Sequence, residues 1–281
     1  EEAENVLSLR STRLIGSTIV AVLGLLGPGA LARAAAPCAG AASCPYGAVE
    51  VIGQRAEGTM RFPQAVAVGP SGDVYVADAQ SHVIQRFSAT GQFESEWGQA
   101  GTGLGEFGMI SGLATDASGD VYVVDAGSGR IEKFDATGTP ITQWGSPGSG
   151  LGQFDFGAGN LNEPAGGAVA VGGQYVYVAD SRNDRIERFG LDGSGAVAFG
   201  SLGGGPGQFS HPRGVAATPS GVVVADDDNH RIQVLSADGT FVAQAGAFGT
   251  GPGQFEYPYG VGWIRPATCS CSTTTTGGRS S

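Results

Sequence analysis

Between residues 48 and 264 the chain alternates short apolar runs with turns rich in glycine, serine and aspartate. Val74-Tyr75-Val76-Ala77-Asp78 is one such run, and Ile84 opens the next, six residues after the aspartate. The same arrangement recurs at Asp125, Asp180 and Asp226, at spacings of 47, 55 and 46 residues. A loop phenylalanine (Phe107, Phe154, Phe209, Phe255) repeats with the same three spacings, nine residues after Gly98, Gly145, Gly200 and Gly246. Alternation with a period of two over so few residues predicts strands, and each unit holds four. In the first unit they are Ala65–Val68, Val74–Ala77, Ile84–Phe87 and Phe93–Trp97, joined by turn signals such as Gly69-Pro70-Ser71-Gly72. Turns this tight predict four-stranded antiparallel meanders.

A meander cannot bury both of its own faces, so a run of them has to stack. The predicted fold is all-β, a β-propeller with four complete four-stranded antiparallel blades and a composite or incomplete fifth. The fifth would join Ala48–Gly53, which matches a fourth strand without its first three, to Gly260–Ile264. The alternative is an open arc cut from a six-bladed ring. Glycine supports the turns: 50 of 281 residues, placed at regular turn positions.

Outside the repeats the composition changes. Arg10 and Arg13 precede an apolar run from Leu14 to Leu26, and Ala32-Arg33-Ala34 offers small residues for cleavage, so residues 1–34 read as a signal peptide. An uncleaved membrane anchor is the alternative, and the membrane is a partner only in that case; the run is shorter than the ~20 residues of a spanning helix. Residues 35–47 read as a linker, 48–264 as the propeller and 265–281 as a Thr/Ser/Gly-rich tail. Export implies a secreted or cell-surface protein, in which Cys38, Cys44, Cys269 and Cys271 are free to form disulfides whose pairing stays open. If the ring closes, a bridge between the two terminal pairs is feasible. The net charge of −11 repels phosphate backbones and no local basic patch offsets it, so nucleic acid is excluded as a partner.

Two segments carry a family resemblance. Asp180-Ser181-Arg182-Asn183-Asp184-Arg185-Ile186 and Asp226-Asp227-Asp228-Asn229-His230-Arg231-Ile232, each following a Pro-x-Gly-Val-type strand start, resemble NHL repeats. The first two units are looser: Ser81 and Ser128 stand for the Asn, and Val83 for the Arg that Arg130 retains. The resemblance covers residues 48–264. It implies a propeller, commonly six-bladed, among whose members are binders of protein, peptide or RNA, extracellular sensors in bacteria, and amidating lyases. Because the Asp recurs in all four units and the Arg in three of them, they are assigned to structure, as acceptors and donors for loop backbone.

No catalytic set converges. The histidines His82, His211 and His230 fall at different places in different units, and no HExxH, GxSxG or Walker pattern is present. Gly103-Leu104-Gly105-Glu106-Phe107-Gly108 fits a dinucleotide fingerprint by letter but precedes a short strand, and Asp226-Asp227-Asp228 lacks the spacing of a calcium loop. Neither cofactor nor metal is expected. Connectors between blades and the second-to-third-strand turns share one face, where variation marks specificity. After the Pro position the units carry Gln64, Ser111, Ala165, Arg213 and Tyr259, and before it Phe62, Met109, Glu163, His211 and Tyr257. A contact patch of Gln64, Arg213, His211, Tyr257 and Tyr259 is therefore expected, with Phe156 and Asn160 added by an insertion spanning Asp155 to Glu163. The predicted function is a non-enzymatic exported module that binds a protein, peptide or polysaccharide through this face. An enzyme resembling the amidating lyases or related propeller hydrolases is the alternative.

Overall fold

The computed structural model describes residues 9–14, 17–23, 60–157 and 166–264. Nineteen strands are described: β1 Leu9–Leu14 and β2 Ser17–Leu23; β3 Pro63–Val68, β4 Val74–Asp78, β5 Val83–Phe87 and β6 Phe93–Trp97; β7 Ile110–Thr115, β8 Val121–Asp125, β9 Arg130–Phe134 and β10 Pro140–Trp144; β11 Val169–Gly172, β12 Tyr175–Asp180, β13 Arg185–Gly190 and β14 Val197–Phe199; β15 Pro212–Thr218, β16 Gly221–Asp226, β17 Arg231–Ser236 and β18 Phe241–Ala245; and β19 Pro258–Ile264. From β3 to β18 they form four antiparallel sheets of four strands in meander order, the blades of a β-propeller. The innermost strands β3, β7, β11, β15 and β19 stand side by side in that order. One short 3-10 turn, Ser181–Asn183, interrupts the third blade.

The fifth sheet is composite, as expected, and its described strands are β1, β2 and β19. β19 pairs in parallel with β2, Val261 opposite Val20, and β1 pairs antiparallel with β2. These N-terminal strands come from the segment read as an export signal; Ala48–Gly53 and all four cysteines lie outside the described residues.

The core lies between blades. Ala67, Tyr75, Ala77 and Ile84 of the first blade meet Phe107, Ile110, Leu113, Val121, Val123 and Phe134 of the second. Two further interfaces repeat this pattern, and Phe255 closes a smaller one over Val223 and Ile232. Near the axis the blades approach closely: a Cβ at Gly214 would sit 2.7 Å from the Tyr259 carbonyl oxygen, and one at Gly112 would sit 3.2 Å from Ala168 Cα. At the perimeter the spacing is filled by large rings, with Trp144 of β10 lying against the turn glycine Gly193 of the next blade.

The first blade, whose neighbour among the described residues is the second blade, offers a comparison. By register Val66 matches Leu113, Val169 and Val215. Those three are 6–7% exposed, whereas Val66 is 62% exposed and Val68 61%. Blade stacking is therefore the source of burial at this position.

Each connector is tied down from beneath by the recurring aspartate. Asp78, Asp125, Asp180 and Asp226 are fully buried. Their carboxylates accept backbone N–H donors from the incoming connector: Phe62 at 3.0 Å, Gly108 at 2.9 Å, Asp155 at 2.8 Å and Ser210 at 2.8 Å. The recurring arginine serves the carbonyls. Arg231 donates to Gly204, Gly205 and Gln208 at 2.8–2.9 Å while its Nε holds Asp226 at 2.7 Å. Arg130 and Arg185 do the same for their own connectors. These residues are latches, in line with the structural role read from their recurrence.

The middle blades add a second carboxylate to each latch. Arg130 pairs with both Asp125 and Glu132, and Arg185 with both Asp180 and Glu187. In the fourth blade Gln233 stands at this position, accepting from Gly207 N–H as Glu132 accepts from Gly105 and Glu187 from Gly152. Burial pushes the Glu132 and Glu187 carboxyls above the ordinary 4.5, against the pull of the glycine N–H and of the arginine. A buried acid with a raised pKa favours the fold while protonated, and that contribution fades as pH climbs past 4.5.

Three outcomes follow. Leu113→Ala should lower stability by about 2–4 kcal/mol in urea unfolding, against under about 0.5 for Val66→Ala. The stability of Glu187→Gln relative to the parent protein should shift in the variant's favour as pH rises from 4 to 8, measured the same way. Arg231→Ala should cost about 1–3 kcal/mol in the same measurement, since it removes the cation beside the buried Asp226, which keeps Ser210, Asn229 and Gln233 as donors, and takes the donor from the Gly204 carbonyl.

Candidate binding face on the fourth blade

Connectors and the turns between second and third strands emerge at the same end of the strands, so the latches place both on one face. In the fourth blade this face gathers the turn Asp227–His230, the connector residue His211, and the starts of β15 and β19. Arg213 Nε pairs with Asp227 Oδ2 at 2.7 Å, and the guanidinium carbon lies 5.4 Å from the centre of the Tyr259 ring. Asp227 is only 5% exposed, and its Oδ1 has no hydrogen-bond partner among the described residues. Burial pushes its carboxyl up from the ordinary value, opposed by Arg213 and reinforced by Asp228. Burial likewise raises the Tyr259 phenol, with Arg213 pulling the other way.

Beside this pair, His211 Nδ1 lies 2.7 Å from Asp228 Oδ2, and both side chains are over two-fifths exposed. The His211 backbone N–H donates to Asp184 Oδ1 of the third blade at 2.9 Å. On the other side His230 sits 4.8 Å from the ring centres of both Phe248 and Tyr257, and the Tyr257 N–H donates to His230 Nδ1 at 3.3 Å. Phe248 and Tyr257 are 62% and 58% exposed.

His211, His230 and Tyr257 hold φ of 49°, 55° and 53°, a left-handed region that side-chain-bearing residues rarely occupy. The turn position of His230 is left-handed in every blade, filled by His82 at φ 58°, Gly129 at 64° and Asp184 at 53° in the other three. Holding non-glycine residues in this region costs on the order of 1 kcal/mol each.

Of the residues expected from sequence, Arg213, His211, Tyr257 and Tyr259 are all gathered around the Asp227–His230 turn. Gln64 belongs to β3 in the first blade, and both polar atoms of its amide are shielded from solvent without a hydrogen-bond partner among the described residues. Ser111, at the same register position in the second blade, donates to the Gly167 carbonyl at 2.9 Å. Phe156 is a core residue, not a surface one: it is 2% exposed and stacks on Phe154 at 5.0 Å, so it offers a ligand no contact. Asn160 lies outside the described residues. Sequence reasoning missed Asp227, Asp228 and His230 as members of this face. A signal was present: the position after the latch aspartate is small in the other blades, Ala79, Ala126 and Ser181, and an aspartate only in the fourth. Among the described residues no group of three or more His, Cys, Asp or Glu is placed to hold a metal ion.

The fold and this face define a repeat protein of propeller blades with a polar and aromatic cluster at the connector end. The family model described as NHL repeat matches residues 60–87, the first blade up to the end of β5. The match falls on a unit whose hallmark residues are looser than those of the third and fourth.

Three solved structures are similar. One is titled Streptogramin B lyase structure (16% identity, 65% of this chain, 54% of that chain, TM-score 0.48). The second is Kuenenia stuttgartiensis Hydrazine Synthase (17% identity, 70% and 52%, TM-score 0.49), and the third Structure of U3-55K (13% identity, 64% and 48%, TM-score 0.47). The chain spans about half the length of each of these structures. Comparison with curated proteins finds no match.

Proposed function

We propose that this chain is an exported, bacterial NHL-type propeller that binds a protein, peptide or polysaccharide at its connector face without transforming it. The observation that carries the proposal is the fourth-blade cluster, in which Arg213, Asp227 and Tyr259 lie beside His211 and Asp228. Such a set combines a guanidinium and exposed rings, the groups enriched at contact surfaces, with carboxylates and an imidazole that can select a partner by charge. The rest of the repeated polar residues are engaged in holding connectors.

Export is supported by the Arg-flanked apolar run and the small-residue site ending at Ala34. Removal of residues 1–34 would take β1 and β2 away from β19, leaving the edge of that strand free in the secreted form. The enzymatic alternative asks for metal-binding histidines contributed by several blades, and His82, His211 and His230 each engage separate surroundings.

The test is a pull-down from native extracellular material with the protein recovered from culture medium. The recovered chain should begin after residue 34, and it should retain partners that an Arg213→Ala/Tyr259→Ala variant of equal melting temperature loses. Identical retention by both proteins would remove the fourth-blade face from the binding reading, and stoichiometric zinc in the purified protein would favour the lyase-like alternative.

A further inference from the structure

The fourth-blade cluster is not neutral. Asp184, Asp227 and Asp228 contribute three carboxylates, against the single guanidinium of Arg213. Asp184 spends one oxygen on a backbone N–H, and Asp228 is open to solvent beside His211. Asp227 points to the same imbalance independently. It is 95% buried by its 5% exposure, Arg213 engages only its Oδ2, and Oδ1 has no partner among the described residues. A shielded carboxylate oxygen without a donor is unfavourable unless something outside the fold compensates it.

The carboxylates are flanked by a surface of a different kind. Phe248 and Tyr257 expose most of their rings on either side of His230, and Tyr257 and His230 are held in the strained left-handed region. Carboxylates next to exposed aromatic rings are the set that receives an alkylammonium or guanidinium: the acid meets the charge and the ring meets the methylene stem or the cation itself.

Resting on the binding reading above, we infer that the ligand of this face is a peptide segment presenting Lys or Arg, its cation received by Asp228 and Asp184 and its stem by Tyr257 and Phe248. The overall charge of −11 works in the same direction, since it draws a basic segment toward the protein and repels an acidic one.

The experiment uses the full chain and fluorescein-labelled octalysine, followed by fluorescence polarisation at low and moderate salt. Asp228→Asn removes one charge from the cluster. Asp238→Asn removes one from the exposed β17–β18 turn, which lies at the opposite end of the strands. The inference expects saturable octalysine binding that weakens with salt, about a fivefold loss for Asp228→Asn, and a change within about 1.5-fold for Asp238→Asn. Equal losses in both variants would reduce the effect to the general field of an acidic protein and overturn it. So would undetectable octalysine binding at low salt, equal binding of octaglutamate, or binding of a neutral wall oligosaccharide in place of octalysine. If octalysine fails while the pull-down still retains partners sensitive to Arg213→Ala/Tyr259→Ala, the binding reading stands and only the ligand class falls.

Discussion

A buried carboxylate has to be answered by donors, and this requirement organises the molecule. At each blade the aspartate ending the second strand is sealed from solvent, and its donors include a backbone N–H of the incoming connector. Meeting that demand pins a glycine-rich loop which has little secondary structure of its own. The arginine that follows answers the same loop from the other side, taking its carbonyls. Connector, hairpin turn and loop phenylalanine thus become one unit, and the connector face owes its shape to these polar bonds together with the buried loop phenylalanines.

Much of this was legible in sequence because repetition makes structural demands visible. The four strands per unit, the aspartate spacing and the loop phenylalanines all recur, and the structure keeps them within a residue or two. Val83 in place of the latch arginine was also readable, and the first blade compensates with two connector donors, Arg61 and Phe62, on Asp78. The fifth sheet was not legible in the same way. Its partner strand lies far away in sequence, and pairing between backbones leaves only a faint trace in side-chain identity. Ser17–Leu23, which pairs with β19, reads in sequence as part of an apolar leader, while Ala48–Gly53 lies outside the described residues.

The candidate face was legible to a different degree. Arg213 and Tyr259 were found because they occupy equivalent positions after a proline and differ between units. Asp227 was hidden within a run of three acidic residues that resembled a solvated turn or an ion loop, and only burial separates it from Asp228. Phe156 misled for the converse reason: an aromatic in an insertion reads as an exposed contact until the neighbouring Phe154 ring is seen to cover it. Single-copy features lack the internal controls that repeats supply.

Side-chain size along each blade interface has a geometric consequence. Next to the axis, Gly112 and Gly214 let neighbouring backbones nearly touch, while at the rim Trp97, Trp144 and Phe199 press on turn glycines of the following blade. An interface thin on one side and thick on the other is a wedge, and a series of equal wedges must bend. The curvature of this arc is therefore written as a gradient of residue volume from axis to rim, and a protein drawing on the same blade could change its number of blades per turn by altering a few rim aromatics or axial glycines without touching the strands between them.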